Sequence, residues 1–248
     1  MQTARMTWWL ASLALLFGLC MHADAHAQAD PGSDDSMMAA GFLDGHPDLL
    51  YRSQGLQAYG DKEYGKAIER FRKAAYFGDK ASQAIVGEML WSGLGGERDR
   101  VMALVWMDVA AERGYPRFVN TRNGYWNALA PAERQRARNL ADKLYEEYGD
   151  AVTEPRLARA LRRERAKMTG SRVGSLSSNM QLIIPGQGSI DGSRFYDPKY
   201  WDPAQYRAWH DNFWQTLPDG KVTVGEPEKL DGLSTEPPKP LPDHAKPR

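Results

Sequence analysis

The stretch that decides the fold is Ala81–Gly114, ASQAIVGEMLWSGLGGERDRVMALVWMDVAAERG. Ala81, Ala84 and Gly87 alternate with the larger Leu90 and Trp91, and the run ends in the turn Gly93-Leu-Gly-Gly96. Asp99 then stands where a helix N-cap is wanted, ahead of Ala103, Trp106, Ala110 and Ala111, and Gly114 closes the run. The stretch before it repeats part of this pattern. Ala67, Phe71, Ala74, Ala75 and Gly78 return as Ala103, Met107, Ala110, Ala111 and Gly114, each 36 residues on. A fixed period of this size predicts stacked helical hairpins that bury their apolar faces against their neighbours.

Working back from Ala81, Tyr64, Ala67, Ile68, Phe71 and Ala74 form one apolar stripe at helical spacing, with Gly78 as the expected C-cap. A preceding helix runs from Asp48 to about Tyr59, and Gly60-Asp61 makes the connection. Working forward, Phe118 to Leu129 is a degenerate first helix, with Gly124-Tyr-Trp126 near the place of Gly87 to Trp91. Pro131 suits the first turn of its partner, which runs to Tyr148-Gly149 with a strongly charged face, as a terminal cap requires.

Gly55, Ala58, Tyr59, Tyr64, Ala67, Phe71 and Ala74 resemble the tetratricopeptide signature. The string from Ala81 to Gly114 resembles the related Sel-one-like repeat. The resemblance covers residues 47–149 and implies an all-α, right-handed solenoid of about three hairpins. Its signature residues are packing positions: Ala67, Phe71, Ala74, Gly78, Ala84, Gly87, Gly93, Ala103, Trp106, Ala110, Ala111 and Gly114. It also implies a protein-binding role, with the first helix of each hairpin lining a concave face for a peptide or another protein.

The flanks are of different composition. Residues 1–27 read as a secretory signal: Arg5, then the uncharged run Trp8–Met21, then Ala25 and Ala27 in an A-x-A cleavage pattern. The alternative is a retained membrane anchor, although spanning a bilayer needs about 20 apolar residues. Cleavage removes Cys20, the single cysteine, so the mature chain would have neither disulfides nor a thiol nucleophile. The reading is an exported protein, periplasmic or extracellular, with no transmembrane segment once the signal is gone. Residues 28–46 read as a flexible leader, 150–168 as a basic linker helix opening at Thr153-Glu-Pro155, and 226–248, with six prolines, as a disordered tail. Within 169–225, rich in Gly and Ser, Met180 to Ile184 is a candidate strand, and Gly186-Gln-Gly188 is a loop without the context of a phosphate cradle. An aromatic helix is expected over about 202–216, capped by Asp202.

Three local features compete for function. Eight aromatic residues lie between 195 and 214, among them Tyr200, Trp201, Tyr206, Trp209, Phe213 and Trp214. They form either an interaction surface or the face that docks this segment on the solenoid, and the i, i+3, i+7 spacing of Tyr206, Trp209 and Phe213 favours docking. Asp197, Asp202, His210 and Asp211 contain the residue types of an acid–base or metal site, without spacing that makes them converge. The basic face of residues 156–167 is either a solvated linker or an anion-binding surface. Trp91 and Trp106 fall at packing positions. With 32 charges of each sign there is no global field for nucleic acid. No metal spacing, nucleophile elbow or phosphate loop occurs, so neither cofactor nor metal is expected. The sequence therefore favours a non-enzymatic interaction module of the cell envelope. A cell-wall-acting enzyme or accessory, with its site in 170–225, is the alternative, and a surface adaptor using the basic helix a further one.

Overall fold

The computed structural model describes residues 37, 40–168, 181–184 and 188–216. The expected signal, most of the expected leader, residues 169–180, Gly186 and the tail 226–248 lie outside the described residues.

The architecture is all-α and solenoid-like. A 3-10 turn (Phe42–Gly45) leads into α1 (Pro47–Gly60), followed by α2 (Tyr64–Tyr76), α3 (Lys80–Ser92) and α4 (Arg100–Ala110), which ends in a 3-10 turn at Ala111–Arg113. Next come α5 (Pro116–Ala128), α6 (Pro131–Tyr148) and α7 (Asp150–Met168). An antiparallel hairpin, β1 (Gln181–Ile184) and β2 (Gly188–Asp191), precedes two one-turn helices, α8 (Gly192–Phe195) and α9 (Pro198–Trp201), and then α10 (Pro203–Thr216).

Helices α1 with α2 and α3 with α4 pack as hairpins, and α2 meets α3. Both hairpins close by the same device. A Cβ on Gly55 would come within 2.7 Å of the Phe71 ring, and one on Gly87 within 3.1 Å of the Ala103 carbonyl. The third unit lacks it: Gly124 has open space around it, and α5 and α6 each pack on α4. A groove of about 350 Å³ lies there, walled by Leu104, Trp126 and Ala137 among others. Asp79 and Asp99 accept from the backbone N–H groups of Ser82 and Met102, capping α3 and α4. Each such cap contributes about 1 kcal/mol. Gly93 and Gly114 end their helical segments at positive φ, where an L side chain is strained.

One apolar core runs from Ala58 to Leu144 through the stack. A second joins Met37, Phe42 and Leu49 to Ile190, Phe195 and Trp201, and a third holds Leu161, Tyr206 and Trp209. The second core corrects the reading of 28–46 as a flexible leader. Over its described part that segment is a 3-10 turn with Phe42 and His46 fully buried, because aromatic surface 150 residues downstream covers it. The loop assigned around Gly188 is corrected as well. Gly188–Asp191 is the second strand, with Leu182 opposite Ile190 in register. Helix α7 opens at Asp150, with Pro155 inside it, ahead of the expected Thr153-Glu-Pro155 start. The carboxylate of Glu112 accepts the Asp150 N–H, which gives the earlier start its anchor. Among the described residues, no helix is long and apolar enough to cross a membrane.

Candidate functional site

Most of the repeat-signature positions sit in the core, whereas Gly93 is half-buried and Gly114 exposed. Ala67, Phe71, Ala74, Ala103 and Ala110 have no exposed surface, and Ala84, Trp91, Trp106 and Ala111 are buried. The first helices of the expected units are α1, α3 and α5. The middle helix is almost sealed: between Lys80 and Trp91 only Ile85 escapes full burial. Glu88 is 9% exposed, and its Oε2 makes no hydrogen bond. Burial raises its carboxyl to about 8, against a weaker opposing pull from Arg117. The phenols of Tyr59 on α1 and Tyr125 on α5 are raised first by burial and also by the Glu88 charge. Trp91, one turn on, stacks on Tyr125 with ring centroids 4.0 Å apart.

A second concavity, about 530 Å³, lies where the C-terminal helices meet the edge of the stack. Its walls include Phe77, Gly78, Leu157, Leu161, Tyr206 and Trp214, and its polar lining includes Asp48, Lys80, Arg113, Arg162 and His210. Asp48, Lys80 and Arg113 already have partners. Lys80 reaches Glu112 (2.7 Å), Asp150 (3.0 Å) and the Val109 carbonyl (3.0 Å). Arg113 grips both oxygens of Asp150, at 2.8 and 3.0 Å. Burial would raise the Asp150 carboxyl, but the Arg113 hydrogen bonds and the Lys80 charge outweigh it and hold it low. Arg52 pairs with the Asp79 cap at 3.0 Å. The Tyr115 hydroxyl donates to Asp211, and the Tyr206 hydroxyl donates to Asp48 Oδ2 at 2.7 Å.

Two histidines lie in the same seam. His46 stacks on Phe42 and sets its ring nitrogens 2.7 Å from the Phe42 carbonyl and 2.8 Å from that of Tyr200. Burial lowers it to about 4, although both carbonyls favour the charged ring. His210 packs on Tyr206 and is held well below its ordinary range, first by burial and then by Arg52 and Arg113. Asp48 moves the other way, raised by burial to about 7 despite the Tyr206 hydrogen bond.

Trp201, Tyr206 and Trp209 are buried in the second and third cores, while Tyr200, Phe213 and Trp214 are half-buried, Trp214 against Phe118. Asp197 caps α9, and Asp202 receives the N–H groups of Ala204 and Gln205 at the start of α10. Those two carboxylates are occupied at helix ends, apart from the buried His210. Among the described residues, no group of three or more His, Cys, Asp or Glu side chains is arranged to hold a metal ion. On the basic helix, Arg156 lies over the Tyr76 ring and donates to the Tyr76 carbonyl, whereas Arg159, Arg162, Arg163 and Arg165 are exposed.

Sequence reasoning passed over His46, Asp48, Lys80, Glu88, Arg113 and Asp150. One signal was present: Glu88 is the single charge in the run Ala81–Trp91, a position that periodicity marks as core. No protein-family model matches the chain, and neither does any curated protein or solved structure.

Proposed function

We propose that this protein is a non-enzymatic interaction module of the cell envelope, exported by residues 1–27, which holds a peptide or protein partner on the inner face of its hairpins. In this reading the hairpins are of the Sel-one-like and tetratricopeptide kind. The observation that carries it is the stack itself: consecutive hairpins, α1 with α2 and α3 with α4, joined where α2 meets α3. The pairing of the seam's ionisable groups supports it too, because Lys80, Arg113, Asp150 and Asp79 are held in ion pairs with one another and with Glu112 and Arg52.

The 530 Å³ cleft favours a second reading, a site between the stack and α10. Photo-crosslinking separates the two. Benzoylphenylalanine at Ile85 samples the inner face, and at Arg162 it samples the cleft. The interaction reading expects a protein adduct from Ile85, formed in the envelope fraction, and none from Arg162. An adduct from Arg162 alone moves the site to the cleft.

A further inference from the structure

Glu88 has no structural employment. The other fully or nearly buried acids of the described residues each do local work: Asp48 accepts from Tyr206, and Asp79 caps α3 and pairs with Arg52. Glu88 caps no helix end, being in the ninth position of α3, and neither a hydrogen bond nor an ion pair to it occurs among the described residues. Arg117 acts on it through its charge without forming an ion pair. A buried carboxyl left this way destabilises the fold, and a neutral residue of the same shape would fit better. It lies one turn from the half-buried Ile85, and 9% of its own surface stays open. Tyr59 and Tyr125 are near enough on either side to feel its charge.

We propose that Glu88 recognises a basic side chain of a bound segment, a lysine ammonium or arginine guanidinium, with the rings of Tyr59 and Tyr125 alongside the cation and its stem. The inference rests on the inner-face reading above. The missing partner of Glu88 is a donor, and a cation supplies both the hydrogen bond and the opposite charge.

The sign of the pH dependence follows from the same geometry. With burial holding the empty site's carboxyl near 8, a cation must displace its proton, so binding tightens as pH rises through that value. The groups facing Glu88 leave that window clear. The Tyr59 phenol is raised to about 12, and that of Tyr125 is raised further. A ligand that instead accepted a hydrogen bond from protonated Glu88 would weaken over the same range.

The test uses the full chain, wild type and Glu88→Gln, titrated with pentalysine amide and with its fully Nε-acetylated form at constant ionic strength. Saturable binding of pentalysine to wild type is expected, weakened about tenfold or more by Glu88→Gln or by acetylation. Glu88→Gln should also melt above wild type, because it removes the unpartnered acid. The wild-type pH profile, which needs no variant, should tighten between about pH 6 and pH 8. Binding that acetylation or Glu88→Gln leaves unchanged, or that tightens in acid, overturns the proposal. A partner crosslinked at Ile85 but held equally by Glu88→Gln sinks this inference alone. Glu88-dependent pentalysine binding without any adduct at Ile85 sinks the adaptor reading alone.

Discussion

Between α3 and α4 the contact is made by Gly87, Ala103 and Met107, apolar groups so close that a Cβ on Gly87 would press on the α4 backbone. Between the stack and the segment that closes over its edge, the contact is made by Lys80, Arg113, Asp150, Asp48 and His46, with aromatic rings around them. The first interface is insensitive to charge and is lost only when volume is lost. The second depends on every partner being present, since removing one leaves another charge buried and unmatched. The hairpins thus behave as an apolar body and the C-terminal extension as a clasp held by polar bridges.

The largest effect is expected from emptying the body. Phe71→Ala should cost about 4 kcal/mol and lower the urea midpoint of the whole helical signal, with no partial transition. Asp150→Asn comes next, at about 3 kcal/mol, because Lys80 and Arg113 lose a shared counter-ion. Hydrogen exchange locates that loss: α10 amides should open before those of α3. Simultaneous opening would dissolve the distinction between body and clasp. Gly45→Ala drives a methyl group to within 2.4 Å of the Trp201 ring, and should loosen the second core by about 2 kcal/mol. Quicker proteolysis around residues 40–46, with the α3–α4 hairpin still protected, is the expected readout.

The smallest effect sharpens the clasp by pH. The Asp48 carboxyl is raised from 3.8 to about 7, so its contribution is full below the unfolded value and is lost as pH climbs through 7. His46 is lowered from 6.5 to about 4, so its contribution is present above the unfolded value and is lost as pH falls through 4. The two oppose each other and flatten the wild-type profile. Asp48→Asn should unmask the asymmetry, raising the melting temperature at pH 8 by the equivalent of about 1–2 kcal/mol while changing it little near pH 4. Equal shifts at both pH values would show that Asp48 does not titrate in the clasp.

The same contrast explains what the sequence revealed. The body was legible because its signals are local. The spacing of Ala67, Phe71 and Ala74, the Asp99 cap and the glycine at each helical end lie within a few residues of the structure they specify. The aromatic helix was legible for the same reason. The clasp was not, because its bonds join Lys80 to Asp150, Tyr206 to Asp48 and His46 to Tyr200, partners brought together only by the finished fold. Phe42 shows the difference most directly. In a small, polar, glycine-containing stretch it reads as a loop residue, and the distant Phe195, Tyr200 and Trp201 help make it core. Glu88 was hidden in another way, since the periodicity that identifies α3 as packed gives no reason to look for a charge there.

The second core, finally, sets an order of events. Met37, Phe42 and Leu49 share their core with Ile190, Phe195 and Trp201, so a chain emerging from its N-terminus completes that core after the whole hairpin stack has appeared. The hairpins can close as they appear, each on the last. The clasp is a late, long-range closure, and its rate will be governed by the encounter of two distant stretches of chain, not by the helices between them.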